Sequence, residues 1–374
     1  MGLQRSEILT IAISLTTTGL ICGLMAVNYY GTKLPNLNQL NDAIETQHIN
    51  YTEFQMEGQA KLDSISQKIV ESFPQGIACW GDDLTAGVGS NDTDYPTILR
   101  KLLKENIYLD DTSNICPSVE NFGISGESSI TVLGRSGAIP YMNTNILDIP
   151  KDTTPIRINL LSTRFNYVKP LLKGDTGLEY VTIGGIKGYI TQENDVYYFT
   201  RAEEGEPITI SAGTEIIPSG YENTQNYMPI ISIGMNSGYN SFLDLVSQCE
   251  KAVKNYNTDK YLVLGLTTGT KESRLELEQE MQSRFGSNFI NLREYLSSEQ
   301  ALKDADIQPT QKDLDAIELG AVPSSLLSDS VHLNSIGYEL VAKCIYNRMI
   351  DLNYFTDITK YVEEYIKIKQ EYRL

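Results

Sequence analysis

The chain contains two histidines, His48 and His332, so a mechanism that needs an imidazole base has almost no choice of residue. His332 stands in Asp329-Ser330-Val331-His332-Leu333-Asn334, three residues after a carboxylate and directly before a helical pattern. An isolated Asp-x-x-His is more often a surface pair than a catalytic dyad. Here it holds the one histidine of the expected globular part, since His48 falls on a helical stalk as a solvated residue, and that weights it toward function. Three other stretches combine glycine with polar side chains after apolar runs. They are Gly81-Asp82-Asp83-Leu84-Thr85-Ala86-Gly87, Asn121-Phe122-Gly123-Ile124-Ser125-Gly126-Glu127-Ser128 and Gly234-Met235-Asn236-Ser237. Other chemistry-bearing patterns are missing: there is no G-x-S-x-G, no H-E-x-x-H and no dinucleotide glycine fingerprint. In Gly265-Leu266-Thr267-Thr268-Gly269-Thr270-Lys271 the second glycine is not followed by lysine, so a strand-to-helix turn fits better than a phosphate loop. Cys22, Cys79, Cys116, Cys249 and Cys344 are scattered without C-x-x-C spacing, which points to neither zinc nor a dense disulfide framework. The clusters Glu203-Glu204 and Glu276, Glu278, Glu280 read as solvated faces.

Taken in chain order, the four stretches resemble the four blocks of the SGNH (GDSL-type) hydrolases, over about Gly76 to Met349, and the membrane-anchored bacterial members in particular. The resemblance implies an acyl-ester hydrolase without a cofactor. His332 would be the general base, oriented by Asp329, and the Gly126 N–H, the Asn236 side-chain amide and the N–H of residue 83 would form an oxyanion hole. The family pattern has serine where this chain has Asp83. A carboxylate attacking an acyl carbon gives only an anhydride, so Asp83 does not simply replace the hydroxyl, and hydrolysis is expected to be weak or absent. Its charge beside the imidazole favours an Asp83–imidazolium pair. Thr85 and Ser90 are nearby hydroxyls off the turn position. Three accounts of Asp83 stay open: a natural member that kept binding and lost hydrolysis, an altered nucleophile, or displacement at an alkyl carbon. By analogy the substrate is an acylated glycan of the cell surface, acetyl for instance, or another small ester. A noncatalytic glycan-binding protein is the alternative, and a stalked structural protein a third.

The elements that would position these residues alternate. Strands are expected at Gly76–Trp80, Ser118–Phe122, Pro229–Ile233, Tyr261–Leu264 and Phe289–Leu292. Helices are expected near Tyr95–Lys104, Phe242–Val253, Ser273–Phe285 and Ser335–Met349. Strands apolar on both faces between helices argue for a doubly wound α/β sheet with its site at the carboxyl ends. The resemblance makes this a flavodoxin-like, three-layer α/β/α fold with a five-stranded parallel sheet. From about 139 to 228 the rhythm becomes alternating and glycine-punctuated, as in Ile156–Leu160, Tyr180–Ile183 and Ile208–Ile210, which reads as a small antiparallel β insertion.

Ile8–Val27 has no charged residue and matches the ~20 residues that cross a bilayer core, so residues 1–30 read as an N-terminal transmembrane anchor with the globular part outside. Residues 31–73 read as a helical stalk. Leu37, Leu40, Ile44, Tyr51 and Phe54 follow spacings of three and four, with Gln47 and Gly58 interrupting the seam, and the stalk is either a spacer or an oligomerisation device. The globular part is 74–350, followed by a C-terminal helix within 351–374. Thirty Lys and Arg against 48 Asp and Glu give a net charge of -18, which opposes nucleic-acid binding.

Overall fold

A computed structural model describes residues 37–374 apart from 92, 163–177 and 195. Contacts divide the chain into two compact units. One is the described part of 1–63 together with Lys367–Leu374, and the other is Ser64–Ile366.

The second unit is built on five strands. They are β1 (Gly76–Gly81), β2 (Ser118–Gly123), β12 (Met228–Ser232), β13 (Leu262–Leu264) and β14 (Phe289–Ile290), hydrogen-bonded in the order β14-β13-β12-β1-β2 and parallel throughout. Side chains alternate across this sheet. Ala78 and Trp80 of β1 join Ile231 and Val263 on one face, against α3 (Ser129–Arg135), α4 (Phe242–Lys254) and α5 (Lys271–Phe285). Ile77 and Cys79 are buried on the other face, where the Cys79 thiol meets the Tyr95 hydroxyl of α2 (Tyr95–Asn106). There α2 packs with α6 (Ser335–Asp351). Of these helices α2, α5 and α6 each start at a side-chain cap, while α3 has none. Asp94 accepts from Thr97 N ahead of α2, Thr270 and Ser273 form a reciprocal capping box on α5, and Asn334 accepts from Gly337 N ahead of α6. The Gly265–Lys271 segment is thus the turn into α5.

Between α3 and β12 the described residues form nine strands. They are β3 (Tyr141–Asn143), β4 (Leu147–Ile149), β5 (Ile156–Ile158), β6 (Leu160–Ser162), β7 (Leu178–Ile183), β8 (Ile186–Glu193), β9 (Val196–Arg201), β10 (Ile208–Ile210) and β11 (Glu215–Pro218). Seven make an antiparallel sheet in the order β5-β9-β8-β7-β11-β3-β6, and β10 pairs with β4. Its own core, including Ile158, Val181, Ile190 and Phe199, makes it larger than the appendage expected. The expected strand Ile156–Leu160 is two strands, because Asn159 donates its N–H to the Asn145 side chain and the halves pair with different neighbours.

The fifth strand stops at Ile290 instead of reaching Leu292. Asn291 diverts the chain by capping the helix Leu292–Leu296, and two more short helices, Glu299–Asp304 and Gln311–Glu318, follow before α6. Glu278 is not the solvated side chain expected: it accepts from Arg293 Nε at 2.5 Å and Nη2 at 2.6 Å and is largely buried.

Within the stretch expected as a stalk, Leu37–Glu71 is one unbroken helix, α1, and the last helix is α7 (Thr356–Tyr372). His48 is exposed on α1, as expected. Cys79, Cys116, Cys249 and Cys344 carry no disulfide, and no group of His, Cys, Asp and Glu among the described residues is arranged to hold a metal. Among the described residues no helix is long and apolar enough to cross a membrane, and the expected span Ile8–Val27 lies outside them.

Candidate functional site

At the end of β1 the chain enters a single helical turn, Asp83–Ala86, so two adjacent carboxylates are delivered at the carboxyl edge of the sheet. Both are buried, Asp82 at 1% and Asp83 at 5% exposure, yet their surroundings differ. The Asp82 carboxylate accepts from Met235 N at 3.1 Å, and the backbone N–H groups of Leu84 and of Asp82 itself also act on it. Burial, reinforced by the neighbouring Asp83 charge, outweighs these bonds and pushes the Asp82 carboxyl up to about 7.

Asp83 is well solvated by the protein. Its Oδ1 accepts from Ser125 Oγ at 2.6 Å and from Gly126 N at 2.9 Å, and its Oδ2 accepts from the Asn236 side-chain amide. Burial works to raise its pKa, but the bonds from Ser125, Asn236 and Gly126, with the His332 charge, outweigh it and hold the carboxyl below the usual carboxylate value.

The donors come from the loops after β2 and β12. These loops are fixed to each other by Ser129 N donating to Ser237 O at 3.0 Å. Beneath the first of them, Arg135 donates Nε to both Glu127 oxygens at 2.9 and 3.0 Å and Nη2 to the Phe122 carbonyl at 2.7 Å. Gly126 thus sits beside a buried ion pair that ties the loop to β2.

His332 is held by its own loop. Asp329 Oδ1 accepts from Val331 N at 2.7 Å and His332 N at 2.8 Å, and Asp329 Oδ2 lies 2.7 Å from His332 Nδ1. With its proton on Nδ1 the ring donates to Asp329 and presents Nε2 outward. The side-chain bond from His332, then the two backbone bonds, hold the Asp329 carboxyl down at about 2. The His332 loop abuts the loop that follows Asp83. At Gly89, where φ is +89°, a Cβ would stand 2.9 Å from His332 Cβ and 2.7 Å from Leu333 O, so only glycine permits the approach. Tyr338 of α6 adds a clasp by donating its hydroxyl toward Val88 O at 2.9 Å and Asp83 O at 3.3 Å.

Asp83, Gly126 and Asn236 therefore meet in direct contact, and Asp329 and His332 form a bonded pair on the adjoining loop. The expected Asp83–imidazolium ion pair is not formed as a direct contact: His332 pairs with Asp329, the Asp83 oxygens accept from Ser125, Gly126 and Asn236, and the His332 charge acts on Asp83 without such a contact. The N–H of Asp83 starts a helical turn and has no intrahelical partner. Thr85 is engaged with Tyr95 at 3.2 Å and Ser90 with Gly87 O at 2.8 Å, which leaves neither aimed at His332. Ser125, Asp82, Tyr338 and the Glu127–Arg135 pair were not assigned roles from sequence. Only the small-residue run Gly123–Gly126 offered a signal for Ser125, and nothing local marks Tyr338.

Chemically, the arrangement is a preorganised set of donors filled by an internal carboxylate, with a histidine–aspartate pair beside it. No family model, no curated protein and no solved structure matches the chain.

Proposed function

We propose that the chain is an SGNH-type acyl-ester pocket on a flavodoxin-like, three-layer α/β/α scaffold, with its oxyanion hole occupied by its own Asp83. Ester hydrolysis by the chain is then weak or absent, and binding of an acylated glycan at the outer face of a membrane is what remains. The observation that carries this reading is the convergence of the Gly126 N–H and the Asn236 amide on one carboxylate. In the family this chain resembles, those donors stabilise the negative oxygen of a tetrahedral acyl intermediate. A carboxylate oxygen at the same donors is an electrostatic stand-in for that oxygen, and a substrate carbonyl cannot displace it without leaving a buried charge unpaired.

Substitution by serine would remove the occupant and restore an alcohol. The introduced hydroxyl would give its proton to His332 Nε2 while its oxygen attacked the ester carbonyl, and the carbonyl oxygen would take the negative charge at Gly126 and Asn236. The leaving alcohol would receive the proton from His332, and water would then release the acyl group by the same route.

Hydrolysis of p-nitrophenyl acetate tests this. Asp83→Ser is expected to raise kcat/KM by ~100-fold or more, the scale of an oxyanion hole regained, and His332→Ala in that background to abolish the gain. Should Asp83→Ser leave the rate at the level of the parent chain, the esterase reading of the pocket fails.

A further inference from the structure

The glycan reading above leaves open where a polymer would lie, and the inference drawn here rests on that reading. In the seven-stranded sheet Val181, Ile183, Ile190 and Phe199 face its apolar core. Residues of opposite parity share the other face: Tyr180 and Thr182 on β7, Tyr189 and Thr191 on β8, Tyr198 and Thr200 on β9. Register sets Thr191 opposite Tyr198 and Thr200 opposite Tyr189, which makes Tyr189 and Tyr198 diagonal neighbours about 7–8 Å apart. Tyr180 continues the line, its ring edge-on to Tyr189 with centroids 6.2 Å apart. Three phenol rings thus run obliquely across three adjacent strands. Tyr180 is 61% exposed and the other two are half-buried, so the row is both accessible and anchored.

The flanks narrow the occupant. Arg157 pairs across from Tyr198, and Lys187 from Thr182, and both are exposed. In a chain of net charge -18 this face presents two cations beside the rings, while its carboxylates, Glu193 and Glu215, stand at strand ends. A ring face carries negative quadrupole density and attracts the C–H side of a pyranose, and the phenol hydroxyls with those of the half-buried Thr182 and Thr191 meet the sugar's hydroxyls, whereas Thr200 is buried. An apolar protein partner would leave those hydroxyls unsatisfied, and two cations are too few for a phosphate polymer. We propose that the Tyr180-Tyr189-Tyr198 face binds a polysaccharide chain, neutral or uronic, and that it is a site separate from the Asp83 pocket.

Affinity electrophoresis of the full chain reads this directly, in gels containing laminarin, xylan, glycol chitin or polygalacturonate against a sugar-free gel. Retardation is expected in at least one. Tyr180→Ala should weaken it at least threefold, Tyr180→Trp should preserve it, and the triple alanine variant should lose it at least tenfold with an unchanged circular dichroism spectrum. Because Tyr180 is so exposed, its single substitution keeps the test valid if the triple variant misfolds. Retardation in none of the four gels overturns the proposal, as does retardation that Tyr180→Ala leaves intact. Binding to phosphatidylglycerol vesicles without any polysaccharide retardation overturns it in favour of a lipid surface. Esterase gain in Asp83→Ser reads the pocket alone and retardation reads the face alone, so either can fail without the other.

Discussion

Asp82 and Asp83 are adjacent in sequence and opposite in chemistry, and the difference is the balance of burial against hydrogen bonds. The Ser125, Asn236 and Gly126 donors, with the His332 charge, keep Asp83 ionised, whereas the backbone donors to Asp82 do not compensate its burial, and its carboxyl is pushed up to about 7. Stability inherits both signs. Folded Asp82 keeps its proton to about pH 7 while the unfolded carboxyl loses it near the ordinary aspartate value of 3.8, so its contribution falls as pH climbs between the two. Asp83, depressed when folded, contributes stability above the unfolded carboxylate pKa and loses it as pH falls toward its folded value. Asp82→Asn preserves an acceptor for Met235 N and removes the titration. Its stability relative to the parent chain should rise by about 2–3 kcal/mol from pH 5 to pH 8, at 1.36 kcal/mol per pH unit over the window. Urea midpoints at the two pH values measure it, and a difference that does not change with pH would show that Asp82 is already ionised at pH 5.

At the scale of elements, the loop between β2 and α3 is fixed from below by a cluster that needs all its parts. Trp80 stacks on Phe122 with centroids 4.2 Å apart, the Arg135 guanidinium lies 5.3 Å from the Trp80 ring, and Arg135 and Glu127 are both buried. Arg135→Met strips Glu127 of this cation in a dry environment and should cost about 3–5 kcal/mol, whereas Arg135→Met with Glu127→Leu removes both charges and should recover most of it. Denaturant unfolding of the single and double variants decides the matter, and a double variant no more stable than the single would mean the pair is not what holds the loop. This cluster also marks where sequence reading ends. β1, β12 and β13 were legible because they are continuous apolar runs with capped helices following, whereas β2 is a mixed run and the helix after it has no side-chain cap. The contacts of Asp83 with Gly126 and Asn236, and of Asp329 with His332, join residues that stand in short, polar, glycine-marked or helix-preceding stretches of the sequence. The Glu127–Arg135 pair, the Tyr338 clasp and the Ser125 contact were not legible, since each depends on a partner that only tertiary packing brings near. The short helices after Ile290 were missed because each has too few residues for a periodic pattern.

For the molecule as a whole, the two ends of the described chain belong to one compact unit, and its contacts explain features the stalk alone does not. Gly58 breaks the apolar seam of α1 because the Tyr372 ring occupies the place of a side chain: a Cβ there would lie 2.5 Å from Tyr372 Cγ. Phe54 stacks on the same ring with centroids 4.5 Å apart, and Lys61 Nζ stands 4.8 Å from its centroid. The acceptors around Lys61, Glu57 first and then Tyr372, push its ammonium pKa well above the ordinary lysine value. One tyrosine thereby contacts three successive turns of α1. Without it, the first half of α1 retains exposed Ile44, Ile49 and Tyr51 and little of its own to hold the helix, because most helical stability in proteins comes from packing. Deleting Lys367–Leu374 should therefore make the segment Leu37–Asp63 open locally without loosening the parallel sheet, whose core residues all lie in the other unit. Hydrogen exchange followed by peptide mass analysis separates the outcomes. Protection within Glu53–Asp63 should fall at least tenfold in the truncated chain and in Tyr372→Ala, while peptides covering Gly76–Gly81 and Met228–Ser232 keep theirs. Equal loss across the strands would show that the chain ends stabilise the whole fold, and no loss in Glu53–Asp63 would show that α1 holds itself.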